Sequence, residues 1–166
     1  MTVYIVGTDH DMQHDAPSRR AAPDKVQRAR REFQAYLYTL VDRLKLQVIA
    51  EEFSQQALDG YNAESTVRPV ADKLGIEHRF CDPGATERVE LGLPHPFLDH
   101  CEEREKPQLN RIRESYWLDR LSDVLHRDIL FICGAEHVHS FCELVRSKGI
   151  DAAVEMEHFG KKIYGS

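Results

Sequence analysis

The sequence predicts a single α/β domain over residues 1–166, with a mostly parallel or mixed central sheet flanked by helices. Three observations predict it. Short β-branched runs alternate with longer stretches in which apolar residues recur every three or four positions, the pattern of repeated strand-helix units. The strand runs are apolar at consecutive positions, as strands covered on both faces are. At 166 residues, 42% of them hydrophobic and 30% charged, the chain has the size and composition of one globular domain with a real core.

Residues 2–6 (TVYIV) form the first strand, ended by Gly7. A polar stretch, 8–22, leads to Pro23, well suited to a first helical turn. Val26, Ala29, Phe33, Leu37, Leu40 and Leu44 give the following helix one apolar stripe. Residues 46–50 (LQVIA) are the second strand, closed by Glu51-Glu52. Residues 66–74 form a helix with Gly75 as left-handed cap, and 76–81 a third strand ended by Asp82-Pro83-Gly84. Residues 84–107 read as a long loop or short helices. A helix over 107–125 carries Leu109, Ile112, Tyr116, Leu121 and Val124, residues 128–133 (DILFIC) form a buried strand, and a helix through Val138, Phe141, Cys142 and Val145 precedes a last strand at 152–156.

Several function classes are disfavoured. The longest apolar runs are far too short for a membrane span. No basic segment followed by an apolar one opens the chain, so a cytoplasmic location is expected. A net charge of −6 argues against sequence-independent nucleic-acid binding. The four cysteines, Cys81, Cys101, Cys133 and Cys142, form no C-x-x-C pair and read as free thiols.

In parallel sheets, ligands bind beyond the carboxyl ends of the strands, and three of those ends carry chemistry. The first strand ends in Gly7-Thr8-Asp9-His10, the second in Glu51-Glu52, and the strand after the long helix in Gly134-Ala135-Glu136-His137. Chance predicts roughly 0.5 Gly-x-x-His matches, and the chain has four. Only those at His10 and His137 directly follow a buried strand, so the pairs ending at His78 and His95 are set aside. The last strand also ends in acids, Glu155 and Glu157, the outline of a faint duplication.

Two imidazoles and two carboxylates in one cleft make a site for a divalent metal (Mn, Zn, Fe, Co or Ni) that activates water. The plain alternative is a set of polar residues at solvated strand ends. Adjacent Glu51 and Glu52 point to opposite faces if the strand runs through them, which makes one a ligand and the other a supporting group or general base. Arg113 and Trp117, four apart on one helix face, offer an anion clamp or a lock on a glutamate, against a surface arginine lying over an indole. His14, His139 and His158 are assigned solvated or structural roles, and the run from Glu102 to Lys106 a solvated face.

Taken together, GTDH (7–10), Glu51-Glu52, RESYW (113–117) and CGAEH (133–137) resemble, in order and over almost the whole chain, the motifs of the TraB/PrgY, GumN, Tiki, ChaN and erythromycin-esterase superfamily. The resemblance implies an erythromycin-esterase/ChaN-like α/β fold and a site built from His10, Glu51, Glu52, Arg113 and His137. Its members include metal-dependent proteases, macrolide-lactone esterases and a haem-binding lipoprotein, so it implies hydrolysis without fixing a substrate.

The first expectation is a metal-dependent hydrolase acting on an ester, amide or phosphoester of a small molecule or peptide. His10, Glu51, Glu52 and His137 are its metal candidates; Glu51, Glu52, Arg113 and His137 are its catalytic candidates. The second is a non-catalytic domain that binds metal, haem or a small anion, or a protein partner. Self-association is left open.

Overall fold

The structure, a computed structural model, describes residues 1–18, 21–94 and 104–161. Five strands form one sheet: β1 (Thr2–Thr8), β2 (Val48–Glu51), β3 (Glu77–Phe80), β4 (Ile129–Gly134) and β5 (Asp151–Phe159). Their order is β3-β2-β4-β1-β5 and every pair is parallel, so the mixed sheet also allowed by the sequence is not realised. The helices are α1 (His10–Gln13), α2 (Pro23–Leu44), α3 (Gln55–Tyr61), α4 (Arg68–Leu74), α5 (Ala85–Glu90), α6 (Lys106–Leu121) and α7 (Val138–Ser147).

Alternate residues of the central strands feed two cores. Val6, Ile49, Leu130 and Ile132 pack under α2 and α4, against Phe33, Leu37, Leu40 and Val70. Val3, Ile5, Val48, Phe131 and Cys133 pack under α6 and α7, against Trp117, Leu121, Phe141 and Val145. Crossovers running toward β3 use the first face and those running toward β5 use the second, as one crossover hand requires. The helix after β1 and the helix after β4 therefore leave the sheet on opposite faces, which opens a crevice between the two strand ends.

Pro23 opens α2, and Lys45, in the left-handed region at φ 53°, closes it by donating its N–H to the Val41 carbonyl. Gly75, at φ 66°, caps α4 as expected. Three short helices add to the expected elements: α1 in the polar stretch, α3 in a stretch the sequence leaves unassigned, and α5 where a long loop or short helices are expected. None is long enough to show a helical period. The helix expected over 107–125 ends at Leu121, and its buried side is Glu114, Trp117, Leu118 and Leu121. Leu109, Ile112 and Tyr116 are only half-buried, so the expected stripe was rotated from the true one.

Among the described residues, no helix is long and apolar enough to cross a membrane. Cys81, Cys133 and Cys142 are free and buried, as expected of reduced thiols. Arg19, Arg20, His95, His100, Cys101, Glu102 and Glu103 lie outside the described residues.

Candidate functional site

The sheet register assembles the site. Gly7 pairs with Cys133 and Thr8 with Gly134, so the two Gly-x-x-His motifs lie side by side. On the other side of β4, Glu51 pairs with Ile132, and the Glu52 N–H donates to the Ile132 carbonyl at 2.8 Å. The ends of β2, β4 and β1 are thus consecutive in space.

Glu52 is the hub. It is 3% exposed. Its Oε2 accepts the Gly134 N–H at 2.6 Å, and its Oε1 accepts Arg113 Nη2 at 2.7 Å. The same Oε1 lies 3.5 Å from His137 Nε2 and 3.9 Å from His10 Nε2. Burial alone would raise the pKa of this carboxyl. The Arg113 charge, the histidines and the Gly134 N–H overcome that and hold it at about 2.

Arg113 is fixed from the other side by Asp82. Asp82 Oδ1 accepts Arg113 Nε at 3.0 Å, Arg113 Nη2 at 2.8 Å and Trp117 Nε1 at 2.9 Å. Asp82 Oδ2 accepts Arg88 Nη2 at 2.7 Å. The Arg113 guanidinium also sits 5.2 Å from the centre of the Trp117 ring. Of the two expected roles for Arg113, the lock on a glutamate is the one formed.

His137 is fully buried, its Nδ1 2.8 Å from Glu114 Oε1, which also accepts Ser140 Oγ at 2.6 Å. A carboxylate at Nδ1 holds the proton there and leaves the Nε2 lone pair facing Glu52 and Arg113. Burial pulls the imidazole pKa down, yet the Glu114 hydrogen bond and the Glu52 charge leave it raised overall.

These groups stand at one side of a cleft of about 540 Å³ whose lining includes His10, Glu52, Asp82, Arg88 and Arg113. None of the protein families, curated proteins or solved structures compared with the chain matches it. The family likeness therefore rests on the four motifs themselves.

The structure brings His10, Glu52, Arg113 and His137 together, as the sequence predicted. It does not bring Glu51. The Glu51 side chain, on the opposite side of the strand, is fully buried. There Oε1 accepts Ser65 Oγ at 2.6 Å and lies 2.7 Å from His78 Nε2. Oε2 has no hydrogen-bond partner among the described residues. Burial raises its pKa, with His78 and Ser65 opposing. Glu51 is thus neither a cleft ligand nor a base facing the cleft. The duplicated acids also stay out: Glu155 pairs with Arg43, and the Glu157 side chain is 74% exposed.

Among the described residues, no three His, Cys, Asp or Glu side chains are gathered tightly enough to form a ready-made metal cage. The donor set nonetheless suits a divalent ion. Two ligands of one ion, each about 2.1 Å from it, stand roughly 3–3.6 Å apart, against 3.5 Å and 3.9 Å from Glu52 Oε1 to the two histidine nitrogens. Glu52 is ionised, and His137 turns its Nε2 toward it. Arg113 Nη1, 3.4 Å from that nitrogen, would have to yield it.

Two residues of the site were not identified from sequence. Glu114 is missed because the expected stripe is rotated from the buried one, although its spacing of three and four from Trp117 and Leu118 puts it on their helix face. Asp82 reads in sequence as a strand stop, although it stands beyond a strand's carboxyl end. His14 is buried and stacks on Tyr61, the His139 side chain is 70% exposed, and His158 pairs with Asp9 at 2.9 Å.

Proposed function

We propose that this chain is a metal-dependent hydrolase of the kind its motifs resemble, with its reaction centre at Glu52. The observation that carries the reading is the convergence of His10 Nε2, His137 Nε2 and the Arg113 guanidinium on one buried, ionised carboxylate oxygen. Glu52, His137 and His10 are the residues that would hold the ion. When bound, the ion supplies water of lowered pKa and polarises the scissile bond.

The chain's own residues do the rest. Arg113 and the Gly134 N–H keep Glu52 charged and fixed. Glu114 sets the tautomer of His137. Glu52, with a pKa of about 2, is suited to be a ligand and not a base at neutral pH. His10, with half its side chain exposed, is the member of this group most open to solvent.

A second reading, non-catalytic capture of a metal, haem or small anion, draws on one specific observation. Both cleft carboxylates are already paired with guanidinium groups, which leaves no carboxylate poised as a general base. Manganese or zinc titration by calorimetry, followed by turnover of ester, peptide and phosphoester panels, separates the two. Metal-stimulated turnover that is lost in Glu52→Gln supports the hydrolase. Stoichiometric metal without turnover supports the second reading, and turnover indifferent to Glu52→Gln overturns the site.

A further inference from the structure

Each strand-end Gly-x-x-His motif carries an acid directly before its histidine: Asp9 before His10 and Glu136 before His137. The structure gives the two acids different partners. Asp9 is engaged by His158, Oδ2 to Nε2 at 2.9 Å. Glu136 instead reaches its own neighbour. On a single 3-10 turn over Ala135–His137, its Oε1 stands 3.8 Å from His137 Nε2. That is the nitrogen to which Glu52 Oε1 comes within 3.5 Å. One imidazole nitrogen thus faces two carboxylates, Glu52 buried and Glu136 with 66% of its side chain exposed.

A second cavity, of about 420 Å³, opens at the ends of β1 and β4, and its lining includes His10, Gly134 and Glu136. His10 also lines the first cleft. The missing Cβ of Gly134 would fall within 3.6 Å of the His10, Glu52 and His137 side chains. The second cavity therefore meets the Glu52 centre at Gly134 and His10, with Glu136 on its wall.

Charge decides what Glu136 can add. Glu52 is matched by Arg113, and Asp82 by Arg113 and Arg88. Glu114 faces the other side of the His137 ring, at Nδ1. A divalent ion at the two Nε2 atoms would also have the Arg113 guanidinium beside it, 3.4 Å from His137 Nε2. Holding a dication against that charge calls for a carboxylate that no guanidinium has taken. Of the described carboxylates facing the two Nε2 atoms, Glu52 and Glu136, the second is the one no guanidinium holds.

We propose that Glu136 is the fourth protein ligand of the site, closing over a divalent ion held by Glu52, His10 and His137, in the place expected of Glu51. The assignment rests on the metal-binding part of the function proposed above. At 3.8 Å from His137 Nε2, the Glu136 oxygen stands just outside the roughly 3–3.6 Å span of two ligands on one ion. Its exposed side chain has the freedom to move in. The set becomes two imidazole nitrogens and two carboxylate oxygens, donors that suit Mn, Fe, Co or Zn.

Metal affinity reads this without turnover. Manganese and zinc are titrated calorimetrically into the full chain and its Glu136→Gln and Glu136→Ala variants. Glu157→Gln, which alters an exposed acid outside the site, is the control for overall charge. Both Glu136 variants should bind at least about tenfold more weakly, the lower bound for groups that only support a ligand. Their metal-free melting temperatures should stay within about 2 °C of wild type, as for an exposed side chain. Unchanged affinity in the Glu136 variants, or an equal loss in Glu157→Gln, would overturn the proposal and leave the Glu52 centre standing. Wild-type affinity with turnover lost in Glu136→Gln would make Glu136 a base and overturn its role as a ligand. A wild-type chain that binds neither metal would instead remove the metal reading itself, and this ligand with it.

Discussion

Glu114 Oε1 lies 2.8 Å from His137 Nδ1, and both side chains are buried. A carboxylate so placed fixes which imidazole nitrogen carries the proton, and it raises the ring's proton affinity. In Glu114→Gln the amide oxygen still accepts from Nδ1, but the charge is gone. We expect the His137 pKa to fall and the metal affinity of the site to drop about 10–100-fold, with the fold retained. Histidine ring titration by NMR and metal calorimetry check this. An unchanged His137 pKa in the variant would remove Glu114 from the site.

The neighbouring glutamates should respond to neutralisation with opposite signs. Glu52 is held ionised by Arg113 and Gly134, so Glu52→Gln breaks a buried ion pair and should cost about 3 kcal/mol. Glu51 is buried with Oε2 unpartnered, and its pKa is raised by burial. Glu51→Gln keeps an acceptor for Ser65 and removes an ill-placed charge, so it should raise stability at neutral pH by roughly 1–2 kcal/mol. Urea denaturation of both variants at pH 7.5 tests the pair. Equal destabilisation would mean that Glu51 carries an interaction not seen in the structure.

The same contrast shows what the sequence made legible. Alternating apolar runs revealed the sheet, because a strand buried on both faces has little freedom in composition. The strand-end glycines and histidines were legible because the sheet register brings strand ends together whatever the loops do. Which of Glu51 and Glu52 faces the cleft was not legible, since a one-residue change in where β2 ends exchanges them. His78 was set aside as part of a chance spacing, yet it is the partner of Glu51. Its role depends on the register of β3 against β2, which pairs His78 with Ile49 and which no local pattern encodes. Glu114 and Asp82 act through contacts 23 and 31 residues away in sequence.

Falling pH should draw first on His14 and then on Glu52. The Glu52 pKa is depressed from about 4.5 to about 2, so its contribution is complete above pH 4.5 and disappears as pH falls toward 2. His14 is favoured in its neutral form, with a pKa lowered from 6.5 to about 4 by burial and then by Arg30. The unfolded chain binds the His14 proton first, so stability also declines as pH falls from 6.5 to 4. His137 runs the other way: its raised pKa stabilises the fold below 6.5 and that share is lost as pH climbs past the folded value. Denaturation of wild type and Glu52→Gln from pH 2 to 8 should show curves well separated above pH 5 that converge near pH 2. Curves parallel throughout would contradict an ionised Glu52.

The two motif glycines should fail in different ways. A Cβ on Gly7 would fall 2.0 Å from the Glu157 carbonyl oxygen and 2.4 Å from Val138 Cγ2. A main-chain oxygen of a paired strand cannot step aside, so Gly7→Ala should lose several kcal/mol or fail to fold. A Cβ on Gly134 would instead meet His10 Nε2 at 3.2 Å, Glu52 Oε2 at 3.3 Å and His137 Cδ2 at 3.6 Å. These are side-chain atoms of the site, and His10, half exposed, can swing away. Gly134→Ala should therefore keep most of its stability, within about 1–2 kcal/mol, and lose metal binding and any turnover. Thermal melts and metal titration of the two variants distinguish a glycine needed by the sheet from one needed by the cleft. A Gly134→Ala protein that still binds metal at full affinity would show that the ion does not sit between His10 and Glu52.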